Sequence, residues 1–196
     1  HYVKSGHCII MGYDDMVPSI IREIFLKMPK DTDVVLLTAI DAKQVTEKLQ
    51  RSEVRDKMEN IFVTYGLSMV KDSYKMIHLE AAEKIYIVGD RTLPAHDAIN
   101  VECVVNISSY LKYIQSEHKP KRITCVFEDL DTYAAFKTTD IFSDLKEMNI
   151  DFIPYNFYVG LARQVFVEQS YRGKNSSEKG IPYQSVYGNG ITPKDT

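Results

Sequence analysis

Residues 7–28, HCIIMGYDDMVPSIIREIFLKM, run from a short apolar stretch through Gly12, Tyr13, Asp14 and Asp15 into an amphipathic segment. A strand that enters a helix through glycine is the layout of a phosphate-binding turn, where backbone N–H groups and the helix dipole hold an anion. With Gly12 as the first glycine of a dinucleotide fingerprint, the second falls on Asp14 and the third on Val17. The second glycine lets the backbone touch a pyrophosphate, so a side chain there obstructs and a carboxylate repels. Two unit charges about 4 Å apart interact by roughly 4 kcal/mol at an effective dielectric near 20, which offsets much of what a helix N-terminus offers an anion. The acid that holds a ribose hydroxyl after the second strand is also missing. Its place falls on Thr38 or Ala39, and the nearest carboxylate is Asp41. Asp14 and Ala39 thus disfavour NAD as cofactor.

The plain role for Asp14 and Asp15 is capping, since an Asp before a helix accepts N–H bonds from its first turn and contributes about 1 kcal/mol. A sharper alternative brings Asp14, Asp15 and either Asp90 or Asp41 together on a hard cation, although no ligand loop is visible. For catalysis, His7, His78, His96 and His118 are scattered. His96 beside Asp97 is a candidate proton-transfer pair, against the commoner exposed histidine at a helix start. Ser68, Ser73 and Ser108 lack a nucleophile-elbow context, and Tyr65 lacks the lysine of a reductase motif. No catalytic constellation is evident, and the residues point away from an enzyme.

These residues need elements to position them. Short apolar runs occur at His7–Met11, Val34–Thr38, Ile61–Thr64, Lys84–Val88, Ile123–Phe127 and Asp151–Pro154. They are continuous rather than alternating, as parallel strands covered on both faces should be. Helical patterns lie between them. Val17, Ile20, Ile21, Ile24, Phe25 and Met28 form one wide stripe, with Pro18 in the first turn where a missing N–H costs little. Further helices are expected over 42–59, 70–82 and 95–115, the last burying Val101, Val104, Ile107, Leu111 and Ile114. The segment 131–148 should divide near Thr138–Asp140, and a sixth helix is expected over Phe157–Ser170. Alternation of this kind predicts an α/β, Rossmann-like, doubly wound parallel six-stranded sheet of order 3-2-1-4-5-6, with a C-terminal crossover helix and an irregular tail. Ligands of such a sheet sit where the strand order switches. The residues expected there are Gly12, Tyr13, Asp14 and Asp15; Thr38, Ala39, Ile40 and Asp41; Tyr65, Gly66, Leu67 and Ser68; and Gly89, Asp90 and Arg91.

The chain has 196 residues, 44% hydrophobic and 26% charged, with a formal net charge of −3, which is ordinary for one globular domain and gives nucleic acid no basic block to bind. No run approaches the roughly 18 apolar residues that span a bilayer. With His1 first and no leader pattern, the sequence reads as a piece excised from a longer protein. Cys8, Cys103 and Cys125 read as buried small hydrophobes in a reducing compartment. The thirteen Tyr and eight Phe include a concentration at Tyr155, Phe157, Tyr158, Phe166 and Tyr171, suited to core or to a surface between subunits. After Tyr171 the Gly-, Ser- and Lys-rich text has no periodicity. The domain is therefore placed at 1–172 and a linker or poorly ordered tail at 173–196.

The segments HCIIMGYDDMVPSIIREI, VVLLTAIDAKQVTEKL, IFVTYGLSMVKDSYKMIHLEAAEKIYIVGD, HDAINVECVVNI and FYVGLARQVFVEQ are similar, in order and spacing, to domains that regulate potassium conductance. The chain resembles Trk-type NAD-binding domains over about residues 5–172, with the Castor/Pollux-type ion-channel subfamily and its prokaryotic relatives the nearest likeness. The resemblance implies a ligand-sensing domain at the cytoplasmic face of the membrane, part of an ion channel or transporter and assembled as a dimer or ring. It makes NAD a family cofactor and matches its site to Gly12, Tyr13, Asp14, Ala39, Asp41, Gly66 and Leu67. Asp97 matches an acid that closes the loop after the fourth strand. The alternatives are the NAD(P)-binding domain of an oxidoreductase whose substrate domain is absent, and a Rossmann-like scaffold that binds only protein, favoured if the pocket is filled by its own side chains.

Overall fold

The computed structural model describes residues 1–90, 95–115, 119–138, 142–156 and 159. Its strands are β1 (Cys8–Met11), β2 (Val34–Thr38), β3 (Ile61–Tyr65), β4 (Lys84–Ile87), β5 (Arg122–Phe127) and β6 (Asp151–Asn156). They form one sheet of order β3-β2-β1-β4-β5-β6, parallel throughout. In register, Cys8 stands between Val34 and Lys84, and Met11 between Leu37 and Ile87. Every residue of β1 and β2 is buried, because these strands are central and covered on both sides. The edge strands are wetter: Phe62 and Tyr65 on β3 are 41% and 61% exposed.

The helices are α1 (Val17–Lys27), α2 (Ala42–Gln50), α3 (Lys71–Met76), α4 (His96–Ile114), α5 (Leu130–Thr138) and α6 (Ser143–Glu147). Alternate strand residues point to opposite faces. Ile9, Met11, Val35, Leu37, Ile85 and Ile87 pack with Tyr74 of α3, Cys103, Val104, Ile107 and Leu111 of α4, and Leu145 of α6. Cys8, Ile10, Val34 and Leu36 pack with Val17, Ile21 and Ile24 of α1 and with Val45 and Leu49 of α2. The chain moves outward through β2 and β3, returns to β4 beside β1, and then moves the other way. Crossovers of one hand therefore put the earlier and later helices on opposite faces.

The architecture and strand order are those expected; element ends differ. The second helix stops at Gln50, where the Ser52 hydroxyl donates to the Leu49 carbonyl (2.7 Å), and a separate 3-10 turn covers Arg55–Asn60. The third stops at Met76, because His78 adopts a left-handed conformation (φ 52°) before a 3-10 turn at Leu79–Ala81. Strand pairing carries β6 on to Asn156, past the proline at 154, since Pro154 lies on the edge strand. The chain divides into two units, His1–Asn156 and Phe157–Thr196. The expected helix over 157–170, its aromatics, the boundary at 172, the tail, Arg91, His118 and the break at 139–140 lie outside the described residues. Among the described residues no helix is long and apolar enough to cross a membrane.

Replacing wholly buried Ile10 with Ala should lower the unfolding free energy by about 2–5 kcal/mol. Replacing Leu26, 71% exposed on α1, should change it by less than about 0.5 kcal/mol, both read from urea unfolding curves.

Candidate functional site

The two turns that flank the switch in strand order are pressed together. Gly12, after β1, has φ 90°, and Gly89, after β4, has φ 79°. A Cβ on Gly12 would overlap the backbone of Gly89, and both Val88 and Gly89 donate their N–H to the Met11 carbonyl (2.9 and 3.0 Å). A Cβ on Gly89 would lie 2.5 Å from Asn100 Oδ1 and 2.6 Å from His96 Nε2. Gly12 is thus demanded by the neighbouring backbone of Gly89. A glycine here makes room either for a phosphate or for protein backbone, and in this chain the backbone of Gly89 takes the space.

Asp90 follows directly and is 7% exposed. Its Oδ1 accepts from the Tyr13 N–H (2.9 Å) and the Thr38 hydroxyl (2.7 Å), and its Oδ2 from the Ala39 N–H (3.2 Å). Gly12 makes this reachable, since its left-handed backbone precedes the Tyr13 N–H that meets the carboxylate. One side chain therefore joins the ends of β1, β2 and β4. Its three donors are the groups that the turn after β1 and the end of β2 would otherwise offer an anionic ligand.

The other expected residues take separate tasks. Asp14 Oδ1 accepts from the Met16 N–H (2.8 Å), and the Asp14 carbonyl accepts from the Val17 N–H (3.2 Å). Capping by Asp14 and Asp15 at the helix boundary itself is thus corrected: Met16 is the cap residue of α1 and makes no side-chain cap bond. Asp14 instead closes a turn one step earlier, and Asp15 is exposed. The Tyr13 side chain is buried beneath Lys48 of α2, whose Nζ lies 5.3 Å from the ring centre. Burial raises its phenol pKa, with help from Asp15 and Asp14. Thr38 also accepts from the Ile40 N–H (3.0 Å), and Asp41 caps α2 by accepting from the Gln44 N–H (3.0 Å). Gly66 donates to the Thr38 carbonyl (3.0 Å), and a Cβ on it would lie 2.6 Å from Leu37 Cδ1. Leu67 is 46% exposed.

Asp97 reaches the loop after the fifth strand; the loop after the fourth, which it was expected to close, lies largely outside the described residues. Its Oδ1 and Oδ2 accept from the N–H groups of Glu128 (2.8 Å) and Asp129 (2.9 Å), just beyond β5. His96 Nδ1 donates to Asp97 Oδ1 (3.3 Å), which leaves Nε2 as the lone-pair nitrogen. That atom is buried without a hydrogen-bond partner, against Gly89. Asn100, unremarked in the sequence, is 1% exposed and donates to the carbonyls of Val88 (3.2 Å) and Val126 (2.9 Å), tying β4 to β5. Its signal was a polar residue on the buried side of an otherwise apolar helix.

The structure brings Gly12, Tyr13, Thr38, Ala39, Gly89 and Asp90 into one assembly. Asp14, Asp41 and Asp97 hold three separate turns. Among the described residues no group of three or more His, Cys, Asp or Glu side chains is placed to hold a metal ion, so the cation alternative is not realised there. The three cysteines are buried thiols; burial pushes Cys8 up to about 11 and Cys103 up to about 12, which leaves both unreactive near neutrality. The assembly holds the ends of β1, β2 and β4 together.

Gly12→Ala should cost at least about 3 kcal/mol, because left-handed backbone and overlap with Gly89 act together. Asp41→Ala should cost about 1 kcal/mol, the loss of a helix cap. Thermal unfolding of both variants beside the parent chain checks this ranking.

No family model matches the chain, and no curated protein matches it. Among solved structures it is similar to the TrkA-N domain of the inner membrane protein ybaL from Escherichia coli, at 16% identity and TM-score 0.49, over 83% of this chain and 96% of that one. It is also similar to the human SLO3 gating ring, at 15% identity and TM-score 0.46, over 76% of this chain and 24% of that one. A thiolation-reductase di-domain from an archaeal non-ribosomal peptide synthetase is similar at 11% identity and TM-score 0.44, over 64% of this chain and 29% of that one. A shared fold does not by itself carry function.

Proposed function

We propose that this chain is a non-catalytic regulatory module of an ion channel or transporter, a Rossmann-like domain whose dinucleotide site has been converted into an internal clamp. The observation that carries this reading is the Asp90 carboxylate on Tyr13 N–H, Ala39 N–H and the Thr38 hydroxyl. A diphosphate would have to displace that carboxylate and then lie beside it, at a repulsion of roughly 4 kcal/mol for charges about 4 Å apart in a medium of effective dielectric 20. The likeness of the sequence segments to Trk-type and Castor/Pollux-type domains supplies the ion-transport context. In that context the module sits at the cytoplasmic face of the membrane, joined to a membrane-spanning region in a longer chain and assembled as a dimer or ring. It would work by population shift, with a signal that prefers one arrangement between copies passing that preference to the transport region.

The oxidoreductase reading has one feature in its favour, the His96–Asp97 pair. Asp97 is already committed to two backbone N–H groups, and His96 Nε2 is buried over Gly89, so neither offers a proton to a substrate atom. Titration calorimetry of the chain with NAD, NADH and ATP should give no micromolar binding. Asp90→Ala, which releases three donors, should raise NAD affinity at least tenfold, about 1.4 kcal/mol, and more than Asp14→Gly does. Micromolar NAD binding by the unaltered chain overturns the reading. So does a coding sequence in which a catalytic domain, rather than membrane helices, adjoins this chain.

A further inference from the structure

At the opposite end of the sheet, the chain before β1 lies across the starts of the strands. The Tyr2 N–H donates to the Met76 carbonyl and the Gly6 N–H to the Ala81 carbonyl (both 2.8 Å). The Tyr2 hydroxyl and Lys4 Nζ both reach Asp33 Oδ2 (2.8 and 2.6 Å), while Asn60 donates to Asp33 Oδ1 (3.1 Å). Lys4 also stands over Phe62, and the Tyr2 ring lies 5.4 Å from that of Phe62. Beneath this arm is His7, 1% exposed, with the Tyr2 ring centre 4.4 Å from its own.

The tautomer of His7 follows from its contacts. Nε2 lies 2.9 Å from the Ile77 carbonyl, which can only accept, so Nε2 carries the hydrogen. Nδ1 therefore holds the lone pair, and it is buried with no hydrogen-bond partner. A second proton would create an N–H with no acceptor, which is costly in a buried site. We infer that the arm His1–Gly6 is a proton-sensitive latch, docked while His7 is neutral and released when His7 takes up a proton at Nδ1. This latch is independent of what the switch point binds.

The surrounding charges set its direction. Burial is the largest influence and holds the His7 pKa down to about 4, with the bond to Ile77 opposing and the neighbouring His78 ring, centred 6.5 Å away, adding to the depression. Asp33 and Glu80 favour the proton, but Asp33 is already occupied by Lys4, Tyr2 and Asn60, and Glu80 by Tyr110 (3.3 Å) and His78 (3.8 Å). Glu83, whose N–H donates to the His7 carbonyl, is paired with Lys121. For Asp33, burial works to raise the pKa, yet the bonds from Lys4, Asn60 and Tyr2 hold it below the usual carboxylate value, so Asp33 keeps its charge throughout the range. His78 donates from Nδ1 to the Lys4 carbonyl (3.1 Å). With the arm lifted, His7 regains an ordinary pKa of about 6.5. Docking is then fully present above that pH and is lost progressively as pH falls toward about 4.

Amide hydrogen exchange by NMR on the whole chain tests the latch. From pH 7.5 to pH 5, the opening equilibrium of the Tyr2 and Gly6 amides, corrected for intrinsic exchange, should rise about 30-fold while β1 amides hold steady. His7→Gln keeps a donor for Ile77 but does not titrate, and it should remove that rise. Arm protection that is independent of pH, or the same rise in His7→Gln, overturns the latch. If His7→Gln fails to fold, the ring resonances of His7 in the unaltered chain decide. A midpoint that coincides with loss of arm protection supports release, and a midpoint near pH 6.5 with the arm still protected refutes it.

Discussion

The backbones of Gly12 and Gly89 meet so closely that neither residue has room for a side chain, and this contact governs what the rest of the switch point can be. It draws the turn after β1 against the turn after β4, which brings Asp90 within reach of the Tyr13 N–H. The same carboxylate then reaches the end of β2 through Thr38 and Ala39. Three strand ends that a nucleotide-binding sheet keeps apart as a crevice are here joined by one acid. Buried polar groups need partners, and this arrangement satisfies Asp90, Thr38 and two backbone N–H groups without a ligand.

The same economy runs along the carboxyl edge of the sheet. Asn100 ties β4 to β5, Asn156 donates to the carbonyls of Phe127 and Glu128 beside it, and Asp97 collects the N–H groups of Glu128 and Asp129. Side chains that could have faced a ligand instead stitch loops to the sheet. The amino edge carries a different cluster, in which His7, His78, Asp33 and the arm residues Tyr2 and Lys4 share hydrogen bonds and a buried imidazole. One end of the sheet is closed by a carboxylate that pairs with donors, the other by an arm that covers a buried imidazole.

Much of the fold was legible in the residues. Continuous apolar runs such as VVLLT of β2 announce strands buried on both faces, and the stripe of α1 shows which side packs. Their alternation, with crossovers of one hand, leads to the observed order. Element ends were less legible. His78 ends α3 through a left-handed backbone that is uncommon outside glycine, and nothing in its neighbours in sequence demands it. At the site, Asp14 stood out because it takes a glycine's place in a fingerprint, whereas Asp90, 76 residues on, is the carboxylate that meets the turn. That partnership depends on sheet order and on a close backbone approach, both non-local.

By itself the sequence determined the layers and the parallel pairing, because hydrophobic period is a local property of the chain. The tertiary structure decided which acid occupies the switch point, which glycine is demanded by a neighbouring backbone, and which histidine is sealed beneath the arm. Those outcomes arise where residues far apart in the chain meet at hydrogen-bonding distance, and the meeting sets the donor, the acceptor and the access of water.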